Sequence, residues 1–166
     1  MTRLLATANP TLPVTSLRMG ELAVGNSDSV FKTLLGSCIG LALYDSRSQI
    51  GGLAHIVLPS SKGHADELLG KFADTAIPEL IRGIEQLGGK LRSLRAKLAG
   101  GANMFHSSSE MAIGELNLKA IHQELLERSI PVAASHCGGT QGRRMTFRPA
   151  TGAVVIEIVG KPPVEI

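Results

Sequence analysis

Two residue types capable of nucleophilic chemistry stand close together in one stretch of the chain. Cys38 follows Gly36-Ser37 and opens the apolar run 39–44, while His55 lies inside a second apolar run, 53–58. A thiol attacks a carbonyl carbon only once it is deprotonated, and an imidazole within hydrogen-bond reach supplies the base. Cys38 and His55 are therefore a candidate nucleophile and base. The residues alone also permit a structural reading. A free cysteine in an apolar run behaves as a small buried hydrophobe, and a histidine between Ala54 and Ile56 as a satisfied core residue. Spacing does not choose between the two, because Cys and His patterns do not transfer between families.

For the pair to meet, the elements carrying them must be neighbours. The run 39–44 has the length and content of a buried strand closed by the polar Asp45-Ser46-Arg47-Ser48-Gln49. So short a connection to 53–58 implies antiparallel pairing, which brings His55 back toward Cys38 if the register allows. Upstream, 20–24 and 30–35 read as strands around the turn-forming 25–28. Gly36 and Gly40 flank the cysteine, and the absent Cβ permits close approach of a substrate or another backbone; a simple bulge is the alternative. Residues 1–16 hold Thr, Asn and two prolines without periodicity and read as a flexible N-terminal arm.

The sequence L-L-G-S-C-I-G-L-A-L-Y-D followed by G-G-L-A-H-I-V-L-P resembles the signature of the chemoreceptor glutamine deamidase family CheD, of bacterial chemotaxis. Three further matches follow in the same order: A-K-L-A-G-G-A-N-M-F at 96–105, I-G-E-L-N at 113–117 and G-G-T-Q-G-R-R at 138–144. Together they span most of the chain beyond Met19. The resemblance implies hydrolysis of selected receptor glutamine side chains to glutamate with release of ammonia. It also implies a Cys nucleophile, a His base and an upstream Thr, carried here by Cys38, His55 and Thr33, with a thioester between the two halves of the reaction. No cofactor is implied. The implied partners are the cytoplasmic helical tails of methyl-accepting chemotaxis receptors and a CheC-type phosphatase. Two other classes compete: a non-catalytic binding module for such a phosphatase, and another Cys-His hydrolase or acyl-transferase.

Composition sets the outer limits. A chain of 166 residues, 43% hydrophobic and 19% charged, makes a single folded domain, expected over 17–161 with a short C-terminal tail at 162–166. Two cysteines and no N-terminal apolar segment long enough for a signal peptide or span point to a reducing cytoplasm and no membrane insertion. The net charge of +3 is small, and its Lys and Arg are spread without interleaved aromatics, which argues against nucleic-acid binding. A mildly positive surface favours encounter with an acidic partner.

The remaining elements supply candidate site walls. Residues 59–64 form a polar loop containing His64, which reads as solvated. An amphipathic helix runs from Phe72 to Leu87, with Pro78 marking its effective start and Gly88-Gly89 closing it. Residues 91–98 alternate as a half-exposed strand. The loop 100–105 follows, in which Gly101 and Asn103, with Gly36 and Ser37, are candidates to set donors against a substrate carbonyl oxygen. A helix over 111–128, with Ser109 as N-cap, presents the stripe Ile113, Leu116, Asn117, Ala120, Ile121, Glu124 and Leu125. An amide on that side must be bonded, so Asn117 reads as a bridge to backbone, with substrate contact as the alternative. A strand over 130–134 then precedes His136-Cys137-Gly138-Gly139, where the glycines shape a loop beside the site and Arg143 and Arg144 meet acidic groups of the receptor or a partner. Cys38, His55, His136 and Cys137 lack the paired clips of a zinc site, so no metal is expected. A hairpin of 145–147 and 153–159 ends the domain before Pro162-Pro163. Paired strands near both ends with two helices between them give an α+β class, which the resemblance sharpens to a two-sheet, mostly antiparallel β sandwich flanked by helices.

Overall fold

The strands around Cys38 are buried on both faces, and the rest of the architecture follows from how they are covered. Strand β4 (Ile39–Asp45) and strand β5 (Ile50–Ile56) are buried at every one of their seven positions. Such strands cannot have a wet face, so one layer must pack on each side of the sheet they form. The computed structural model of the chain, describing residues 12–63, 68–105 and 112–166, shows both layers.

Taking the remaining elements in chain order, β1 is Val14–Leu17, β2 is Leu22–Gly25 and β3 is Val30–Leu35. Helix α1 is Ala73–Gln86, a single 3-10 turn at Leu91–Ser93 leads into β6 (Leu94–Gly100), and helix α2 is Ile113–Glu127. The chain closes with β7 (Val132–Cys137), β8 (Arg143–Arg148), β9 (Ala153–Glu157) and β10 (Val164–Glu165). The strands form two five-stranded sheets, in the orders β1-β3-β8-β9-β10 and β2-β5-β4-β6-β7. Pairing is parallel in β1–β3 and β6–β7 and antiparallel elsewhere, so the fold is an α+β sandwich of mostly antiparallel sheets.

Two cores result, one on each face of the second sheet. On its outer face Ile39, Leu41, Leu43, Ile56 and Leu98 pack against Ile77, Leu80 and Ile84 of α1 and Ile121 and Leu125 of α2. On its inner face Cys38, Ala42, Tyr44 and Leu53 meet Phe31, Leu35, Met145, Phe147 and Ile156 of the first sheet. The Phe147 ring lies 6.3 Å from Phe31 and 6.2 Å from Tyr44, tying the sheets together. Each fully buried Leu, Ile or Phe side chain contributes roughly 1.5–3 kcal/mol, so these interfaces supply most of the driving force for folding.

Five elements differ from the sequence reading, the first being residues 91–93, expected within a strand and folded as a 3-10 turn. Val14–Leu17 is a strand, part of it in the stretch expected to be loose, because it pairs along β3 in a parallel register. Pro78 sits inside α1 and not at its start. The helix begins earlier because the Ala73 N–H donates to Leu58 O (3.1 Å) and Ala73, Ala76 and Ile77 are fully buried; tertiary packing outweighs the one bond that proline removes. His136 and Cys137 belong to β7, held beside β6 with Ala99 opposite His136 and Gly100 opposite Cys137. The tail beyond Pro163 adds a short strand to β9, and Ile166 exchanges backbone bonds with Val154. Ser109 and His64 lie outside the described residues. No helix among the described residues is long and apolar enough to cross a membrane.

Candidate functional site

The register of β4 against β5 decides whether the cysteine and the histidine share a face. Gly40 lies directly opposite His55 and Ile39 opposite Ile56. Side chains two apart on a strand point the same way, so Cys38 and His55 are diagonal neighbours on the inner face of the second sheet. Independent contacts agree, since Cys38 packs in the inter-sheet core and His55 reaches across to the first sheet. Between them Gly40 has no side chain, and the Met145 sulfur occupies the place where one would project.

Thr33 completes the arrangement from the opposite sheet. Its hydroxyl donates to the Leu17 carbonyl at 2.9 Å, and its oxygen lies 2.7 Å from His55 Nδ1. A hydroxyl has one proton. With that proton committed to Leu17, Thr33 Oγ1 acts as acceptor toward the ring, which places the imidazole hydrogen on Nδ1 and leaves the lone pair on Nε2. Nε2 is buried and has no hydrogen-bond partner among the described residues. The histidine backbone is held as firmly, with its N–H on Glu21 O (2.9 Å) and its carbonyl accepting from Gly20 N–H (3.0 Å). Leu17 carries no signal in the sequence, because it contributes through its main chain.

Burial sets the charge of both groups. His55 is 3% exposed, and desolvation lowers its pKa below the usual 6.5, opposed by the negative charge of Glu21. The ring is therefore neutral at neutral pH. Cys38 retains 9% of its surface, and burial raises its thiol above the usual 9.0. The resting pair is thus thiol and neutral imidazole.

The turn carrying Cys38 is gripped by the loop that follows β6. Gly101 N–H donates to Cys38 O (3.0 Å) and Ala102 N–H to Gly36 O (2.9 Å). Asn103 N–H donates in turn to Gly139 O (2.9 Å). The main-chain donors of Gly101 and Asn103 are thus engaged in scaffolding in this arrangement. By contrast the N–H groups of Ser37 and Cys38 donate to no backbone carbonyl among the described residues. A groove of about 820 Å³ is lined by Leu34, Gly36, Met104, Arg143, Arg144 and Val159, among others.

Other singled-out residues lie around this centre. Asn117, fully buried on α2, donates through Nδ2 to Val57 O at 2.9 Å, tying the helix to the end of the histidine strand. Asn117→Ala is expected to lower stability by about 0.5–1.5 kcal/mol, since the bond to the half-buried Val57 carbonyl is lost. Urea unfolding with an unchanged slope and a lower midpoint checks this. Arg144 is exposed and lies 3.8 Å from Glu157. Arg143 turns inward, 6% exposed, and bonds the main chain of the 136–141 stretch. Cys137 packs against the other, helix-covered core, and burial pushes its thiol up to about 11 against the opposing pull of the Arg143 guanidinium. Among the described residues no group of three or more His, Cys, Asp or Glu is placed to hold a metal ion.

An α+β sandwich with a cysteine and a histidine between its sheets narrows the class, and comparison with known proteins supplies the family. Residues 57–158 match the family model described as CheD chemotactic sensory transduction, and the chain belongs to that family. A relative from Clostridium botulinum (strain Hall) is 46% identical over 153 residues, covering 89% of this chain and 94% of the relative. Another, from Methanococcus maripaludis (strain C6), is 39% identical over 144 residues, covering 86% and 94%. Both are named probable chemoreceptor glutamine deamidase CheD. The family match begins two residues after His55, whereas the longer alignments leave too few residues outside them to exclude Cys38 and His55.

Proposed function

We propose that the protein deamidates glutamine side chains on the cytoplasmic helical tails of methyl-accepting chemotaxis receptors, using Cys38 as nucleophile, His55 as base and Thr33 to orient the base. The observation that carries this reading is the chain Leu17 O, Thr33 hydroxyl, His55 Nδ1, because it leaves a neutral ring with its lone pair on Nε2. That nitrogen is the atom able to take the Cys38 proton. Catalytic hydrogen bonds of this kind commonly tighten only when substrate is bound.

In the first half-reaction Nε2 accepts the Sγ proton as sulfur attacks the carboxamide carbon. The negative charge that develops on the carbonyl oxygen meets the Ser37 and Cys38 N–H groups. The imidazolium then gives its proton to the amide nitrogen, the C–N bond breaks, ammonia departs and a thioester remains. In the second half-reaction Nε2 takes a proton from water, hydroxide adds to the thioester, and the glutamate carboxylate leaves as the thiol is restored. The groove, lined by Gly36 two residues before Cys38, supplies surface for a protein substrate.

Intact-mass measurement of a purified receptor cytoplasmic fragment after incubation tests the reading. The fragment is expected to rise by about one mass unit per site as NH2 is exchanged for OH, with matching ammonia release. Chain cleavage or crosslinking points to a different Cys-His enzyme. Binding without any mass change points to a non-catalytic module.

A further inference from the structure

The least expected side chain in the fold is Arg143, a cation 6% exposed that bonds to no carboxylate among the described residues. Burying a charge without a counter-ion is costly, so such a group persists only where many hydrogen bonds replace its water. Arg143 Nη1 donates to His136 O (2.8 Å) and lies 2.9 Å from His136 Nδ1. Its Nη2 donates to Gly138 O and to Gln141 O, the latter at 3.2 Å. One guanidinium thereby clasps both ends of the 136–141 stretch, in which Gly138 and Gly139 both take positive φ, 84° and 71°.

That stretch touches the nucleophile turn through an unbroken set of backbone bonds. Gly138 N–H donates to Gly100 O (2.9 Å), and Gly139 O accepts from Asn103 N–H (2.9 Å). The segment so held is the one whose Gly101 and Ala102 N–H groups grip the carbonyls of Cys38 and Gly36. Arg143 also pairs with Leu35 in the β3–β8 ladder, one residue before Gly36. It therefore stands behind both the entry to the turn and the loop that clamps it.

We propose that Arg143 is a positioning residue that fixes Cys38 relative to His55 through the 136–141 stretch and the loop after β6. This rests on the deamidase reading for its kinetic arm only. Lysine retains the charge but offers a single nitrogen in place of a planar fork, so it cannot meet the same acceptors at once.

The experiment compares wild type, Arg143→Lys and Arg143→Ala, each normalised to its folded fraction from urea unfolding. Two readouts are taken: the rate of Cys38 alkylation by iodoacetamide, mapped by peptide mass, and kcat and KM for ammonia release from the receptor fragment. In Arg143→Lys, kcat per folded molecule is expected to fall about 10–100-fold with KM within about threefold, the effect of displacing a reacting group by roughly 1 Å. Cys38 alkylation is expected to slow as well, because the thiol leaves the reach of its base. Methylguanidinium at tens of millimolar is expected to restore part of both rates in Arg143→Ala, and methylammonium to restore neither. Unchanged kcat and alkylation per folded molecule in Arg143→Lys would overturn the proposal, as would rescue by both cations alike. If wild type releases no ammonia, the deamidase reading fails, while the alkylation rates still decide whether Arg143 positions the thiol.

Discussion

Cys38→Ala is expected to abolish receptor deamidation, and His55→Gln to lower kcat by about 10²–10⁴-fold, the range over which a positioned general base acts. The reason for so large a dependence is that burial keeps Cys38 protonated, so no standing thiolate exists to react without help. Cys137→Ala serves as the control, since that thiol faces the other core, and its activity is expected to match wild type. The pH dependence follows from the direction of the His55 shift. Its folded pKa lies below 6.5, so Nε2 keeps its lone pair at pH values where an ordinary imidazole is already protonated. Activity is therefore expected to persist below pH 6.5 and to fall only as pH drops through the depressed folded value. The same shift bears on stability with a definite sign. A group whose folded pKa is lowered contributes stability present above its unfolded value of 6.5 and lost as pH falls toward the folded one. His55→Gln lacks that loss, so the stability gap between wild type and variant is expected to change across this window in urea titrations. Deamidation retained in Cys38→Ala would remove the thiol from the mechanism. An acid limb left unchanged in His55→Gln would remove the imidazole.

The parts of this site that could be read from the sequence are those written in side chains along a single strand. The all-apolar runs around Cys38 and His55 announced buried neighbouring strands, and their short connection announced antiparallel pairing, from which the shared face follows once the register is known. What could not be read is what arrives from far along the chain or through the main chain. Thr33 reaches His55 from a different sheet, a contact that no periodicity within β3 reveals, and only the family resemblance pointed to it. The Leu17 carbonyl that fixes the Thr33 hydroxyl belongs to a strand that pairs parallel to β3 and has no strong pattern of its own; three of its four residues are exposed. In the sequence Arg143 reads as a charge meeting acidic groups of a partner, and its burial shows only once the carbonyls of the glycine-shaped stretch are placed around it. In α2, Ile113 and Leu116 belong to the predicted apolar stripe yet are exposed, while Gly114 is buried because the helix approaches the backbone of Gly101 closely. Helical spacing predicts a face, but it does not predict a glycine contact that rotates that face.

Gly100→Ala is expected to cost about 3 kcal/mol or more of stability and to lower kcat by roughly 10²-fold, a double effect from one methyl group. Gly100 ends β6 at φ 105°, a conformation that side chains rarely adopt, so alanine there is strained before any contact is counted. A Cβ would also lie 2.2 Å from the Cys38 carbonyl oxygen and 3.2 Å from Leu35 Cβ. The first neighbour is backbone and cannot swing aside as a side chain would. Relief must come from moving the Cys38 turn or the end of β6, and those two are joined by the bond from Gly101 N–H to Cys38 O. The movement therefore falls on Cys38, while Thr33 and His55, anchored to Leu17 and Glu21, stay where they are. Catalysis should consequently be lost under conditions where the variant remains folded, with KM little altered because the groove outside Gly36 is untouched. Urea unfolding and steady-state ammonia release on the same preparation separate the two effects. A variant that loses stability yet keeps the wild-type kcat would show that the Cys38 turn absorbs a displacement without consequence, and the tight packing of Gly100 against it would then serve the fold alone.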